Sequence, residues 1–382
     1  MPLKKVYITK TSSFFPNKPI SNDEMESYLG LINQTSSKSK GIVLRNNGIK
    51  TRYYALTREG KPTHTNAEMT ALAIKGLFNN DAEKLKDIQF LSCGTSSPDQ
   101  LIPSHAIMVH GWLPETSNIE VVSAAGVCCA GMHALKYAYL AVKAGDVENA
   151  VATGSERISA SLASRTYEDE VHKLQQLKED PYIGFEKEFL RWMLSDGAAA
   201  FLLSDKKNEE ELSLEINWIE STSFANIMEV CMYMGADKLK DGSLKSYLDY
   251  TQEELLSQSI LSIKQDVKLL SKYIIELGGE VLKKLLIKRN LNIAEVDYFL
   301  PHMSSTFFKD KIYNGLKKLG MEIPYEKWFV NLPSVGNVGS CSAYLMVDEL
   351  FHNGKLKKGQ KILLMVPESA RFSYVYVLLT VC

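Results

Sequence analysis

Two stretches of the chain repeat the same order of strand, small-residue turn and helix. The first, IEVVSAAGVCCAGMHALKYAYLAVKAGDVENAVATGSER, covers residues 119–157, and the second, WFVNLPSVGNVGSCSAYLMVDELFHNGKLKKGQKILLMVPESAR, covers residues 328–371. Each follows a β-rich run that ends in a polar turn, FLSCGTSSPDQ in the first case and YFLPHMSSTFF in the second. Since three elements recur in the same order, we infer a duplicated α/β unit rather than a chance likeness between strand–helix–strand segments. The sequence therefore predicts two related halves, residues 1–205 and 206–382, with no low-complexity linker between them.

The rest of the chain fits this organisation. A length of 382 residues exceeds one small core, and alternating β-rich and amphipathic runs favour an α/β protein. The second repeat is expected to open with a strand over Trp328–Asn331. A helical insertion is expected within the first half at about residues 160–195. Its charged part, Glu168–Leu194, has two interpretations: a solvated helix packed by its aromatic side chains, or a dimer contact or lid over a site.

Composition excludes several classes of protein. The 44 basic and 45 acidic side chains give a net charge of −1, which does not support a nucleic-acid-binding protein. The first residues lack the apolar run of a secretory signal, and no stretch is long and apolar enough to span a bilayer. The six cysteines form no CxxC pair, so we expect a reduced cytoplasmic protein without a structural metal.

The first candidate for chemistry is the cysteine pair in SAAGVCCAGMHAL. Small residues allow a sharp turn between the β-rich run and the helix that follows. A thiol at the first turn of that helix is expected to have a lowered pKa, because the N-terminal end of a helix is positively polarised. Both Cys128 and Cys129 could occupy this position, and both could instead be small buried apolar residues.

Two further residues are predicted to converge on the cysteine pair. His302 follows a short apolar strand and Pro301, and ligand sites of α/β sheets lie at such strand ends. Asn337 lies between Gly336 and Gly339 in the turn before a helix. An isolated Asn between glycines is usually a turn residue, but the duplication makes this turn equivalent to the one that bears the cysteines. We therefore expect all three side chains to face one crevice.

These motifs resemble a known family, the thiolase-fold condensing enzymes, and most of all their β-ketoacyl-ACP synthase III branch. The resemblance includes the run VCCAGM, the Pro-His pair after a strand, and GNVGS before a helix. Further segments also resemble the family: RNNGIKTRYYA, LIPSHAIMVHGWL and LSDGAAAFLL. Together these pieces span roughly residues 1–380. The resemblance implies an α/β fold of the thiolase type, a duplicated arrangement of layers in the order αβαβα.

The resemblance also implies a role for each candidate residue. The family's nucleophile precedes Ala-Gly or Ser-Gly, which matches Cys129, and its histidine and asparagine match His302 and Asn337. In the family, the cysteine takes an acyl group from a thioester and a carbanion from a second thioester then attacks it. The histidine and asparagine donate hydrogen bonds to the oxygens that gain charge. No cofactor is implied, since acyl carrier protein (ACP) or coenzyme A (CoA) delivers the substrates, and a homodimer is expected.

This sequence departs from the family at its C-terminal loop. A Gly-rich segment is replaced by VPESARFSY, which brings Glu368 and Arg371 to a region that is normally uncharged. One interpretation is a salt bridge of Glu368 with Arg371 or with Arg157. The other is that Glu368 is an additional acid or base.

The second interpretation rests on a further resemblance. His-x-Ser-Ser with Pro-Glu-Ser-x-Arg-Phe resembles the ketosynthase/cyclases that make dialkylresorcinol or stilbene precursors. Those enzymes join an acyl thioester to a β-ketoacyl thioester and close a cyclohexanedione ring. The alternatives are an ordinary decarboxylating β-ketoacyl-ACP synthase III, which takes a malonyl thioester, and a Cys-His-Asn hydrolase.

An acyl carrier protein is acidic, so a partner of this kind predicts a local basic face despite the balanced charge. The helix after His302 supplies Lys309, Lys311, Lys317 and Lys318. A second group, expected at the pantetheine entrance, comprises Arg45, Lys50 and Arg52. Each group could equally be a solvated charged surface.

Overall fold

The computed structural model describes residues 3–34, 36–37, 40–166 and 190–382. The strands are β1 (Tyr7–Phe14), β2 (Ile20–Ser21), β3 (Thr51–Arg52), β4 (Phe90–Thr95), β5 (Glu120–Ala125), β6 (Asn149–Glu156), β7 (Gly197–Ser204), β8 (Leu214–Ser223), β9 (Met232–Tyr233), β10 (Ala236–Lys238), β11 (Leu244–Ser246), β12 (Lys264–Gln265), β13 (Tyr298–Pro301), β14 (Lys361–Glu368) and β15 (Ser373–Val381). The helices are α1 (Met25–Leu29), α2 (Lys40–Asn47), α3 (Asn66–Gly76), α4 (Ala82–Leu85), α5 (His105–Gly111), α6 (Ala130–Ala144), α7 (Ser159–Leu162), α8 (Gln252–Ser257), α9 (Val267–Lys288), α10 (Lys309–Lys318), α11 (Leu332–Val335) and α12 (Ser342–His352).

The strand order repeats between the two halves of the chain. The large sheet runs β13-β14-β15-β8-β1-β7-β6-β4-β5, and the two halves join where β1 pairs with β8. In the first half, β5, β4 and β6 are parallel neighbours. Strand β7 pairs antiparallel with β6, and β1 pairs antiparallel with β7. In the second half, β13 and β14 are parallel neighbours. Strand β15 pairs antiparallel with β14, and β8 pairs antiparallel with β15. The same connectivity on both sides is the signature of a duplicated unit.

The expected strand at Trp328–Asn331 is wrong. This segment is the counterpart of β5, but only Trp328 forms a bridge, a parallel one with Phe299 of β13. The Trp328 ring packs edge-on against Phe299, and its Nε1 donates to the Ile323 carbonyl. Side-chain packing thus fixes the segment without extending the strand ladder.

Helices cover the strands in layers. Helices α3 and α5 pack on one face of the first-half strands in an apolar cluster with β4, β6 and β7. Helices α6 and α12 lie in a second cluster that includes residues from both halves of the sheet. Helix α9 packs on β14 and β15 in a third cluster, and α10 packs against α9. Because helices lie on both faces, strands such as β6 are buried almost throughout, as parallel strands normally are.

The N-terminal ends of the two central helices, α6 and α12, meet closely. A Cβ atom at Gly131 would lie 2.2 Å from the Ser340 carbonyl oxygen, so only glycine fits there. The Tyr344 hydroxyl donates to the Gly131 carbonyl over 2.8 Å. This contact brings the turn of the cysteine pair beside the turn of Asn337.

Most of the expected insertion, residues 167–189, lies outside the described residues. Its last part is described: Leu190, Trp192 and Leu194 are buried, with Trp192 fully inaccessible. Neither interpretation of the insertion is decided by these three residues.

Candidate active site

One cavity lies where the turn before α6, the end of β13, the turn before α12 and the end of β14 come together. Cys128, His302 and Asn337 line it, so the predicted histidine and asparagine meet one member of the cysteine pair in one space. The rest of the wall is mainly apolar and comes from both halves of the chain: Val127, Ile158, Leu190, Leu194, Met232, Ile263, Leu270, Ile274, Ile275, Met303, Phe308, Ile312 and Met365. A wall of this kind suits an apolar chain attached to a polar reacting group.

The thiol that reaches the cavity is Cys128, not the predicted Cys129. Cys129 is 0% exposed, its Sγ donates to the Val366 carbonyl over 3.3 Å, and it belongs to the core around α6 and α12. Cys128 is partly accessible and lines the cavity with His302. The two side chains diverge because the chain turns at residues 126–129 before α6 begins. Cys129 as the acyl carrier stays a prediction, and Cys128 is the member of the cysteine pair that lines the cavity.

The expectation of a lowered thiol pKa is also wrong. Burial raises the pKa of the Cys128 thiol well above its usual value, and the carboxylates of Glu368 and Glu156 raise it further. Burial and Glu368 likewise raise the pKa of Cys129. Because burial and the two carboxylates all favour the protonated form, Cys128 is a neutral thiol at rest.

His302 lies at the end of β13, where its backbone N–H donates to the Met365 carbonyl of β14 over 2.8 Å. Burial lowers the pKa of its imidazole to about 4. His302 is therefore uncharged at neutral pH and can offer one ring N–H as a donor.

Asn337 is held on three sides. Its backbone N–H donates to the Met193 carbonyl, its carbonyl accepts from Ser195, and its Oδ1 accepts from the Gly339 N–H over 3.0 Å. With the side-chain oxygen engaged, the amide Nδ2 is the group that can donate to a bound substrate. The preceding Gly336, at φ +75°, permits this turn, because a Cβ there would lie 2.8 Å from the Ser195 Cβ.

Glu368 lies at the end of β14 beneath the cysteine turn. Its Oε2 accepts the backbone N–H of Val127 over 2.9 Å and that of Cys129 over 3.0 Å. Its neighbours Pro367 and Ser369 line the cavity, whereas Glu368 itself does not. The role of Glu368 as an additional acid or base stays a prediction.

The suggested salt bridge of Glu368 is wrong for the described residues. No ion pair among them includes Glu368. The Arg371 Nε donates to the Met228 carbonyl, and Arg157 pairs with Asp99 over 3.1 Å.

Sequence reasoning missed Glu156, a buried carboxylate that does line the cavity. Its Oε1 accepts the backbone N–H of Ser340 over 3.1 Å, and its Oε2 accepts the hydroxyls of Ser96 and Ser97. Burial nevertheless raises its pKa. The duplication was the available signal, since Glu156 ends β6 in the first repeat as Glu368 ends β14 in the second.

The two predicted basic groups differ in how much of each is exposed to solvent. Arg52 is fully buried and donates to the Asn22 side chain, so it does not line a surface entrance. Arg45 and Lys50 are exposed, as are Lys311, Lys317 and Lys318, while Lys309 is partly buried with its ammonium over the Tyr325 ring. Helix α2 approaches the start of α10, because the Ser305 hydroxyl donates to the Asn46 carbonyl.

The described residues contain neither a metal-binding cluster nor a membrane-spanning helix. No group of three or more His, Cys, Asp or Glu side chains within them could hold a metal ion. None of the helices in these residues is long and apolar enough to cross a membrane.

The chain is similar to condensing enzymes in both sequence and structure. A model of the C-terminal part of 3-oxoacyl-[acyl-carrier-protein (ACP)] synthase III matches residues 286–367. The β-ketoacyl-[acyl-carrier-protein] synthase III of Clostridium perfringens is 24% identical over 355 residues, which cover 92% of each chain.

Two solved structures share the fold. The tetronic acid condensing enzyme AbyA1 has a TM-score of 0.74 at 17% identity, covering 98% of this chain and 99% of that one. OleA of Xanthomonas campestris, with bound lauric acid and lauroyl-CoA, has a TM-score of 0.74 at 18% identity over 99% of each chain.

The matched C-terminal segment, residues 286–367, contains His302 and the Asn337 turn. The duplicated sheet, with a central helix from each half, is the thiolase fold of the structural neighbours. The chain is therefore similar to the 3-oxoacyl-ACP synthase III condensing enzymes, in sequence and, over nearly all of its length, in fold.

Proposed function

We propose that this protein forms a carbon–carbon bond between an acyl group held as a thioester on Cys128 and the α-carbon of a second thioester. The observation that carries the proposal is the apolar cavity that Cys128, His302 and Asn337 line together. An apolar wall supports an acyl chain as the bound part of the substrate.

The reaction divides into two balanced half-reactions. In the first, the Cys128 sulfur attacks the acyl carbonyl, and the carrier thiol leaves with the proton that Cys128 gives up. In the second, the α-carbon of the other thioester loses a proton and attacks the acyl carbon, and Cys128 regains a proton as its bond to that carbon breaks. Neutral His302 and the Asn337 amide donate to the oxygens that gain negative charge, which stabilises them without neutralising the enolate.

We further propose that the second substrate is a β-ketoacyl thioester and that ring closure to a cyclohexanedione follows. The described residues that line the cavity include the Glu156 carboxylate and no Lys or Arg. A malonyl thioester would add a second carboxylate there without a cation to balance it, whereas a β-ketoacyl thioester is neutral. Its α-hydrogens are acidic enough for a carboxylate of raised pKa such as Glu156 to remove them.

The test is an intact-mass experiment in two stages. The protein is first incubated with lauroyl-CoA, and we expect one added acyl group. A β-ketoacyl thioester or malonyl-CoA is then supplied.

Ring closure is tested with protein acylated from a 2-unsaturated acyl-CoA, because the γ-carbon of the condensed β-ketoacyl unit must add to C3 of that acyl group. Only the β-ketoacyl thioester should then give a product that keeps the mass and the thioester of the linear condensation product but has lost the C2–C3 double bond. Release of carbon dioxide from malonyl-CoA would instead indicate an ordinary decarboxylating synthase. Free lauric acid as the sole product would indicate a hydrolase.

We propose the surface formed by α2 and the start of α10 as the docking site for an acyl carrier protein. Arg45 and Lys311 are exposed there beside two apolar side chains, Ile42 at 49% and Phe307 at 48% exposure. Ser304 and Phe308, next to this surface, line the cavity, so a pantetheine arm would have a short path inward. Positive charge with an apolar centre matches an acidic helical carrier.

Arg45→Glu and Lys311→Glu are each expected to raise the KM for an acyl-ACP about tenfold, since reversal replaces an attraction with a repulsion. The KM for an acyl-pantetheine, which has no carrier protein, should stay unchanged. Lys358→Glu is the matched control, because Lys358 is exposed in the turn at the opposite end of β14. Equal effects on both substrates would contradict the docking site.

We propose that the protein is a homodimer formed through β5. This strand lies at the edge of the sheet, and no strand of the described residues pairs with its outer side. Helix α5 packs on β5, and exposed apolar side chains flank this helix: Leu101 at 77%, Ile102 at 86% and Trp112 at 44%. An open strand edge with an apolar border is a typical pairing surface.

Light scattering after size exclusion should give twice the mass of one chain. Ile102→Glu should give a monomer, because it places a charge in the proposed interface while leaving the core of each protomer intact. Ile287→Glu, at a residue 76% exposed on α9, is the control and should remain dimeric. A wild-type mass of one chain would refute the dimer.

A further inference from the structure

The part of the cavity wall that β14 forms ends in a serine. Met365, Pro367 and Ser369 line the cavity and Glu368 does not, as expected where alternate residues of a strand face the same side. Glu368 accepts backbone N–H groups of the cysteine turn, and Ser369 is the next residue in the chain. The Ser369 hydroxyl therefore lies on the cavity side of the wall, next to the turn that carries the acyl group.

The Ser369 hydroxyl has a buried amide as its partner. Gln265, which is 4% exposed, also lines the cavity, and its Nε2 donates to the Ser369 Oγ over 2.8 Å. Gln265 ends β12, where it pairs with Met232 of β9, and the N–H groups of Cys231 and Met232 donate to the Ala370 carbonyl. Backbone hydrogen bonds to the residue after Ser369 thus hold the amide beside the hydroxyl.

Each member of this pair has a hydrogen left to donate. Since the Ser369 Oγ accepts from Gln265, its own O–H can donate elsewhere, and the Gln265 amide has a second N–H. Among the described residues neither hydrogen has an acceptor. A donor without an acceptor is costly in a mainly apolar wall, so the pair suits an oxygen of a bound substrate.

We propose that Ser369 and Gln265 bind the β-keto oxygen of the second thioester and stabilise the carbanion formed from it. This inference rests on the proposed function and deepens it, because it names the residues that recognise the β-ketoacyl group.

The chemistry of the carbanion explains why a second pair of donors is needed. When the α-carbon of a β-ketoacyl thioester gives its proton to Glu156, the negative charge is shared by the thioester oxygen and the β-keto oxygen. His302 and Asn337 are the donors for the thioester oxygen, and Ser369 with Gln265 supplies donors for the β-keto oxygen from another part of the same cavity. Both pairs are neutral, so they stabilise the charge without protonating the carbanion.

The test measures the second half-reaction alone. The acyl-enzyme formed with lauroyl-CoA is isolated and mixed with β-ketolauroyl-CoA in a single turnover. Ser369→Ala should slow condensation by about 10–100-fold, as expected for loss of one hydrogen bond to a charged oxygen. Gln265→Leu removes the amide that orients the hydroxyl and should slow it by about tenfold. Ser369→Thr keeps the hydroxyl and should stay within about threefold of wild type.

Exchange of the α-hydrogens of β-ketolauroyl-CoA with heavy water, measured above the rate without enzyme, gives a second readout. It reports carbanion formation directly and should fall in Ser369→Ala and Gln265→Leu as condensation does. The rate of acylation by lauroyl-CoA, which has no β-oxygen, should stay within about twofold in every variant and so verifies that each is folded.

Unchanged condensation and exchange in Ser369→Ala would overturn the inference while leaving the proposed function intact. An equal slowing of acylation would also overturn it, because that result indicates a general change of the cavity. A wild-type acyl-enzyme that neither condenses with β-ketolauroyl-CoA nor exchanges its α-hydrogens would instead overturn the proposed function, and the inference with it.

Discussion

Cys128→Ala is expected to abolish the acyl adduct that the wild-type protein forms with lauroyl-CoA, whereas Cys129→Ala is expected to retain it. Only Cys128 reaches the cavity that His302 and Asn337 line, while Cys129 is fully buried against the Val366 carbonyl. A thiol without access to the acyl carbonyl cannot become its carrier, whatever its pKa. The measurement is intact mass after incubation, followed by peptide mapping of the acylated cysteine.

The effect of Cys129→Ala should be on stability instead. Removing a buried sulfur leaves a small void in the core around α6 and α12, at a cost of about 1–2 kcal/mol in the free energy of unfolding. Chemical denaturation of both variants distinguishes the two roles, because Cys128→Ala is expected to cost less. An adduct that persists in Cys128→Ala and disappears in folded Cys129→Ala would restore the original assignment.

The duplication made most of the fold predictable from the sequence. Matching elements in residues 119–157 and 328–371 implied matching strand orders, and the sheet has them on either side of the β1–β8 pair. The strand predicted at Trp328–Asn331 does not form, and the reason is local. A strand needs a ladder of backbone partners, and this segment is fixed by the Trp328 ring against Phe299 instead.

Convergence of the site was also predictable. His302 and Asn337 follow from strand ends and turns, which are visible in sequence. The Ala-Gly pair after Cys129 predicts that cysteine as the nucleophile, but which of two adjacent side chains faces the cavity depends on the turn geometry. That geometry involves Glu368, 239 residues away from Cys129 in the chain.

His302→Ala is expected to lower the rate of condensation by about 10²–10³-fold while leaving acylation of Cys128 within about tenfold of wild type. The enolate oxygen of the second substrate gains a full negative charge, and His302 is the neutral donor at the end of β13 that is placed to stabilise it. Acylation develops its charge on the oxygen of the first substrate, for which Asn337 remains as a donor. Single-turnover measurements of the two half-reactions, with the acyl-enzyme isolated between them, separate these effects.

The pH dependence gives this prediction a second, independent readout. Burial lowers the pKa of His302 to about 4, so the imidazole is neutral at all higher pH values and gains its proton only as the pH falls through that value. Condensation should therefore show no loss attributable to a histidine between pH 7 and about 5, where an ordinary histidine of pKa near 6.5 would become charged. A fall in rate centred near pH 6.5 that is absent from His302→Ala would show that His302 is solvated in the working enzyme. Equal losses in acylation and condensation for His302→Ala would likewise contradict a role confined to the enolate, because a donor shared by both steps must affect both.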